Sequence, residues 1–435
     1  MDKKILKYII IFYPVLDIIY SISTQLFHTT FPIGQYVRIL ILFYLFIKFT
    51  KIRDKLIIIS LLALLVIGEF TYAGFEIEAL VADLQYISKV ILFVTGIFSF
   101  DFIIKKRILT KDEIIKYIIQ SSYIITISII LGLFGIGFST YVGGRAGHKG
   151  LFLVQNAVTA TLLIITPLNL YAFARTKYKR YLLSYCLALF SLLVIGTKAG
   201  IAGALLIIFF QSINFILKSK LNYLRLTLYF LSIGGLISAL YFSWSTLKIF
   251  FNTQINNAIQ WGGIYSYAVS NRDLHVEWIQ NYIATNYNYN PLLQFGIGFN
   301  NANNVLIDHQ FNIIEMDFYG LLYYSGIWVL LFICLIIFRR VLFAVAVLIK
   351  KRNDVKYFAL FLSIMAGLVH AYYGGHVIYE ALTAQYFACV LAICKSEYRA
   401  IKSEKKRVFS VRLGFPLSSL RVRGSTSRKK ASNNS

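Results

Sequence analysis

The chain has 435 residues, 58% of them hydrophobic and only 14% charged, with a mean hydropathy of +0.67. Soluble proteins carry roughly 25% charged residues, so a water-soluble globular fold is excluded and an all-α, polytopic integral membrane protein is expected. The formal net charge of +25 reports membrane topology and not nucleic-acid binding, because the basic residues follow alternate loops.

Crossing a hydrocarbon core of about 30 Å takes ~20 helical residues. Apolar runs of that order recur near 5–25, 35–50, 56–73, 80–100, 114–136, 150–173, 181–196, 200–217, 226–243, 317–338, 357–373 and 376–394, which predicts about twelve transmembrane helices. The segment VLFAVAVLI, 341–349, is too short to cross; it continues the tenth span or lies at the interface. The first span opens with Lys3, Lys4 and Lys7, lacks a small-residue cleavage site and contains Asp17, so it reads as a retained helix and not a signal peptide.

Cytoplasmic loops retain Lys and Arg and translocated loops shed them. One set of alternate loops, with the C-terminal tail, holds 37 of the 44 basic residues. That side is assigned to the cytoplasm, which puts both termini inside. The other seven are Arg38, Lys89, Arg145, Lys149, Lys198, Lys248 and Arg272, in outer loops or spans, and all six His fall on or near the outer face. Residues 1–395 are expected to form the transmembrane domain, with one large extracytoplasmic loop at about 244–316. Residues 396–435 form a basic tail that is expected to be disordered, held near anionic headgroups of the membrane lipids. Cys186, Cys334, Cys389 and Cys394 lie in or at the ends of apolar spans without paired spacing, which argues against disulfides and a zinc site. No repeat and no Gly-rich nucleotide loop is visible, which disfavours ATP-driven transport by this chain alone.

The large outer loop contains SNRDLHVEW, 270–278, dense in charge for this chain. From Arg272 to Ile283 the spacing predicts an amphipathic helix capped by Ser270 or Asn271, with Leu274, Val276, Trp278, Ile279, Tyr282 and Ile283 on one arc and Asp273, Glu277, Gln280 and Asn281 on the other. Arg272 and His275 project within the apolar arc. Arg272 is either a snorkelling side chain or an anion ligand; a cation in the first turn opposes the helix dipole unless an anion is bound there. Arg145 and Lys149 in YVGGRAGHKG feed into span six, and Lys198 in GTKAG precedes span eight. Three outer basic sites before helix starts suggest an outward pocket for a phosphorylated ligand. Trp261, Tyr265, Tyr267, Tyr282, Tyr287 and Tyr289 alternate with Asn252, Asn256, Asn257, Asn286, Asn288, Asn290, Asn300, Asn301, Asn303 and Asn304. Such rings and amides suit sugars, and equally suit any membrane interface.

Asp17 in span one, GRAGHKGLFLVQN entering span six, the GTKAG turn, SNRDLHVEW, PLLQFGIGFNN and IIEMDFYGLLYYSGI at 313–327, taken in that order, resemble the O-antigen-ligase-like superfamily, specifically its Wzy-type surface-polysaccharide polymerases. The resemblance covers nearly the whole membrane part and excludes the tail. It implies a bacterial inner-membrane glycosyltransferase that polymerises undecaprenyl-diphosphate-linked oligosaccharide repeat units at the outer face into O-antigen, capsule or exopolysaccharide, without nucleotide sugar, metal or other cofactor. It also implies a chain-length regulator and a flippase as partners. Arg145 and Arg272 map onto the family's outward arginines. The related ligases carry a His-Asn pair after the large loop, where this chain departs with Asp308-His309-Gln310.

Displacing a diphosphate from an anomeric carbon calls for fixed cations, for which Arg145, Lys149, Lys198 and Arg272 are the candidates. The attacking hydroxyl needs a general base, with His309 ranked before Asp317 and Glu315. Glu315 and Asp317, two apart, make a poor chelate if helical, and a purely structural role for both stays open. Asp17 and Arg38 are expected to pair, and Lys89 to find Asp83 or Glu69. The alternatives are a ligase that transfers finished glycan to an acceptor, and a flippase for the same lipid-linked substrate.

Overall fold

The computed structural model describes residues 1–29, 33–72, 77–141, 147–218, 266, 270–288, 290–307, 309, 313–352 and 354–412. Within them the chain forms α1 (Asp2–Leu26), α2 (Ile33–Phe49), α3 (Ile52–Tyr72), α4 (Ile77–Lys105), α5 (Lys111–Leu133), a two-stranded ribbon of β1 (Phe138–Ser139) and β2 (His148–Gly150), α6 (Gln155–Thr176), α7 (Lys179–Ile195) and α8 (Lys198–Lys218). After these come α9 (Arg272–Asn286), a 3-10 turn (Pro291–Leu293), α10 (Phe299–Ile307), α11 (Asp317–Lys350), α12 (Val355–Tyr373) and α13 (Ala381–Arg412).

By length and composition, six of the described helices can cross a membrane: α1, α4, α5, α6, α11 and α12. Five other expected spans coincide with α2, α3, α7, α8 and α13, and the expected span at 226–243 lies outside the described residues. The chain is an all-α polytopic membrane protein. VLFAVAVLI continues α11 without a break to Lys350.

The core explains which helices are central. Residues Ala157 to Asn169 of α6 are buried on every face, as expected of a helix apolar all round. Thr161 and Thr166 hydrogen-bond back to Ala157 and Leu162 carbonyls, so their hydroxyls are satisfied within the helix. Against α6 and α4 packs the first half of α13, buried throughout from Ala381 to Cys394. Phe93 and Phe387 stack at 5.9 Å, and a Cβ at Gly367 would meet the Phe387 ring at 2.6 Å, so small residues admit the large ones. The peripheral helices keep apolar faces outward, such as Leu331, Leu335, Phe338 and Leu342 of α11, where lipid tails take the place of protein.

At one end of the bundle Lys3 meets Glu113 at 2.5 Å, Lys48 meets Asp2 at 3.0 Å, Arg175 meets Glu397 at 3.0 Å and Lys351 meets Glu404 at 3.1 Å. These are the residues assigned to cytoplasmic loops. Two expectations need correction here. The chain does not loosen at Ser396: α13 runs on to Arg412, with Glu397 and Ile401 buried, because Glu397 is clamped by Tyr171, Lys111 and Arg175. And Lys89 does not choose Asp83; it faces Glu380 at 3.7 Å, while Asp83 accepts the Asn300 backbone N–H at 2.7 Å. The side chain of Glu69 lies outside the described residues. The Asp17–Arg38 pair is present at 2.6 Å.

Candidate functional site

At the other end of the bundle, three segments far apart in sequence meet. The first is the start of α11. Gly326 sits at φ 79° and breaks α11 internally, which frees carbonyls of the preceding turn. Ile297 and Gly298 donate their N–H groups to the Tyr323 and Tyr324 carbonyls at 2.8 and 3.1 Å, so the PLLQFGIG stretch replaces the missing helical bonds. Backbone approaches here so closely that a Cβ on Gly296 would lie 2.5 Å from the Tyr324 carbonyl carbon. The Tyr324 hydroxyl accepts the Ile314 N–H at 2.6 Å, which fixes the 313–317 segment over the break.

The second segment is the turn at 374–380. It was expected to lie inside span twelve from residue 376, but α13 starts only at Ala381. The cause is Asp317: its buried carboxylate accepts both the Val377 and Ile378 N–H groups at 2.8 Å, which winds GGHVIYE into a tight turn. Gly375 at φ 63° lies against the Glu315 carbonyl and hands its own carbonyl to His370 Nδ1 at 2.9 Å. The turn thereby presents His376 and Glu380 inward. His376 itself adopts φ 61°, a strained value for a residue with a Cβ.

The third is α9, which starts at Arg272 as expected and extends to Asn286. Its buried stripe is His275, Ile279 and Ile283. Asn271 occupies the cap position but makes no side-chain capping bond; Ser266 instead hydrogen-bonds Asp273 and accepts the Asn271 N–H at 2.6 Å. Burial pulls the His275 imidazole below its ordinary range, and its ring lies 5.9 Å from that of Trp278.

Glu315 is where the three meet. Arg272 reaches its Oε2 with Nη2 at 2.7 Å and Nε at 2.8 Å, His376 Nε2 lies 3.9 Å from Oε1, and Asn156 at the start of α6 approaches Oε2 at 3.5 Å. Burial pushes this carboxyl up, but His376 and Arg272 outweigh it and hold the group at about 2. The anion required beside a first-turn Arg is therefore supplied by the protein itself.

Below lies a cleft of about 100 Å³, lined by Tyr86, Lys89, Phe299, Glu315, Asp317, Tyr324, His376, Tyr379 and Glu380 among others. Tyr86 stacks on Phe299 at 4.7 Å and on Tyr379 at 4.1 Å, forming an aromatic wall. His376 Nε2 is buried and has no hydrogen-bond partner among the described residues. A second cavity, lined by Arg38, Gln85, Ser88 and Lys89, shares Gln85 and Lys89 with the first and lies between α2 and α4. Along α9 and α10 opens a groove of about 770 Å³ lined by Trp278, Asn281, Tyr282, Thr285, Asn286, Asn301, Asn304 and His309 among others.

The expected residues distribute unevenly over this geometry. Arg272 and Glu315 come together, and Asp317 lies beneath them, committed to backbone N–H groups. His309 stands apart in the groove, exposed and stacked on Trp278 at 4.2 Å with the rings 6° from parallel. Lys149 donates to the Leu153 carbonyl at 3.0 Å, and burial pulls its ammonium below the ordinary range. Lys198 begins α8, next to Thr197, whose hydroxyl meets that of Thr159 on α6 at 3.0 Å. Arg145 lies outside the described residues, as do Trp261, Tyr265, Tyr267 and Tyr289. Glu315 and Asp317 serve different partners, and among the described residues no group of three or more metal-type side chains converges. Lys89, His376, Tyr379 and Glu380 were not foreseen as site residues. For His376, Tyr379 and Glu380 the visible signal was a Gly-Gly pair followed by His376 and Glu380 interrupting an apolar run at 374–380.

No curated protein matches the chain. The family model described as O-antigen ligase like membrane protein matches residues 1–260, which carries α1 to α8 and the Lys89 side of the cleft. Together with the polytopic helical bundle, that match shows that the chain belongs to the O-antigen ligase like membrane proteins, a family of membrane glycan-processing enzymes.

Proposed function

We propose that this chain is a Wzy-type polymerase, which joins undecaprenyl-diphosphate-linked repeat units into a surface polysaccharide at the outer face of the bacterial cytoplasmic membrane, with both termini in the cytoplasm. The observation that carries the reading is the presence of two unlike compartments: a small charged cleft lined by Glu315, the partner of Arg272, with Lys89, His376 and Glu380, and a wide groove of rings and amides at Trp278 and Tyr282. A transferase needs one place for a leaving diphosphate and another for a glycan, whereas a flippase needs one site open to either side in turn.

In this reading the acceptor hydroxyl attacks the anomeric carbon of the donor sugar, the bond from that carbon to the diphosphate oxygen breaks, and undecaprenyl diphosphate leaves with the electron pair. Arg272 stabilises the growing negative charge, with Lys149, Lys198 and Arg145 as further cations and Lys89 added from the cleft. The proton passes to a general base. His376 is the candidate best matched to the task, since it lines the cleft and its Nε2 is buried and makes no hydrogen bond to a described residue. Glu315, held at about 2, is too weak a base to lead. Asp317 acts through the turn it winds and is a positioning residue. His309, on Trp278, lies with the glycan groove. A chain-length regulator and a flippase belong to the same reading as partners.

The test is chemical. Purified protein in liposomes is given lipid-linked repeat unit and no nucleotide sugar, and the products are sized. A ladder of lipid-linked oligomers supports the polymerase. Transfer only to an added acceptor that carries no lipid diphosphate identifies a ligase, and an unchanged substrate contradicts both.

A further inference from the structure

At the opposite end of the bundle from the cleft, Asp101 of α4 is the hub of a charge cluster that the proposed chemistry does not use. Arg399 of α13 grips it with two bonds, Nη1 to Oδ1 at 2.7 Å and Nη2 to Oδ2 at 3.2 Å, and Lys395 binds Oδ2. Arg340 of α11 approaches Oδ2 only to 3.9 Å. One carboxylate thus faces three cations. On the same end of the bundle, Glu397 and Asp112 together balance Lys111 and Arg175, so an excess is not the rule there. The excess around Asp101 is augmented by Lys105 and Lys51, which lie against each other nearby.

Arg340 makes the imbalance costly. Its side chain is 3% exposed, and its Nη1 is buried with no hydrogen-bond partner among the described residues. A buried guanidinium lacking one partner bears an uncompensated desolvation cost. The three cations are graded in depth, with side-chain exposures of 3% for Arg340, 18% for Lys395 and 37% for Arg399. A floor, a middle and a lip of positive charge, with donors left over, suit an oxyanion that shares the cluster with Asp101. Arginine forks match the geometry of phosphate oxygens.

We propose that this cluster between α4, α11 and α13 binds a phosphate group, carried either by the headgroup of an anionic phospholipid or by a soluble phosphate compound. Its position at the basic end of the bundle places it at headgroup depth if that end faces the cytoplasm, where basic residues attract anionic lipid. The ligand draws Lys395 and Arg399 partly off Asp101 and gives Arg340 Nη1 an acceptor. The site thereby ties the three helices together.

The experiment uses the full chain in neutral detergent, with bound lipid counted by native mass spectrometry and thermal unfolding followed in parallel. The probes are phosphatidylglycerol, phosphatidylcholine and inorganic phosphate. Phosphatidylglycerol is expected to bind and raise the unfolding midpoint where phosphatidylcholine does not, and Arg399→Gln to weaken that binding roughly tenfold, the loss of a forked contact. Lys4→Gln, which removes an exposed cation of α1, is expected to change nothing. Stabilisation by millimolar inorganic phosphate equal to that by the lipid assigns the site to a soluble phosphate compound. Arg340→Gln removes the floor and is read with Arg399→Gln, whose exposed position spares the fold. Equal binding by Arg399→Gln and wild type, or the same small loss in Arg399→Gln and Lys4→Gln, overturns the proposal and leaves the cluster a helix tie.

Discussion

Two nitrogens of Arg272, Nη2 and Nε, converge on a single oxygen of Glu315 at 2.7 and 2.8 Å. The fork is thus occupied by an internal carboxylate, and the second oxygen of Glu315 is left to face His376 at 3.9 Å. If a substrate diphosphate replaces this carboxylate on Arg272, Arg272→Ala removes both a structural pair and a charge-stabilising contact. Activity in the transfer assay is expected to fall by roughly 100-fold or more, in the range of a lost oxyanion donor. Arg272→Lys should recover little, since an ammonium cannot form the fork. Wild-type turnover in Arg272→Ala, with normal protein levels, would make the residue an interfacial snorkel.

The two histidines separate the base from the groove. His376→Ala is expected to lower kcat by roughly 100-fold while KM changes little, as loss of a proton acceptor does. His309→Ala is expected to raise KM for the glycan and to spare kcat, because the ring stands on Trp278 in the open groove. The reverse pattern, measured on the same preparations, would restore His309 to the chemistry.

Acid should weaken the fold partly through Glu315, which protonates later than an ordinary carboxyl. Its carboxyl is held at about 2, below the ordinary 4.5, by His376 and Arg272 against the opposing effect of burial. A depressed carboxyl contributes stability above its unfolded pKa and loses it as pH falls toward the folded one. The unfolding midpoint of wild type should therefore drop between about pH 4.5 and 2 more steeply than that of Glu315→Gln. Parallel curves for the two proteins would show that the pair adds nothing.

The helices were legible because membrane spans are a local property of the chain: some 20 apolar residues in a row announce themselves. The amphipathic arc of α9, including the inward Arg272, was legible for the same reason, since periodicity is read within one segment. The cleft was not. Lys89, Glu315 and His376 lie on segments that only tertiary packing unites, and the pairing of Lys89 with Glu380 depends on where the turn at 374–380 is set. The turn at 374–380 was hidden because Val377, Ile378 and Tyr379 look like the start of a span. Only the buried Asp317, sixty residues earlier, winds them. The helix beyond Ser396 was likewise masked by its basic composition, which looks unstructured until Tyr171, Lys111 and Arg175 are seen to clamp Glu397.

The internal break of α11 should be intolerant of a side chain. Gly326 has φ 79°, and a Cβ there would press on the Gln294 carbonyl. Gly326→Ala is expected to cost about 1–3 kcal/mol and to lower the unfolding midpoint. Activity should fall with it, because the 313–317 segment that carries Glu315 is pinned over the break. An unchanged midpoint would mean that the break relaxes without effect.

Repeated transfer between lipid-linked units is read from the size distribution of surface and lipid-linked glycan in a strain lacking this gene, alone and complemented by wild type or Arg272→Ala. Long polymer is expected to collapse to a single repeat unit that still reaches the outer face, wild type to restore the ladder, and Arg272→Ala to leave it collapsed. Full-length polymer stranded on its lipid carrier would contradict this expectation in favour of a ligase, and single units shielded on the cytoplasmic side would contradict it in favour of a flippase.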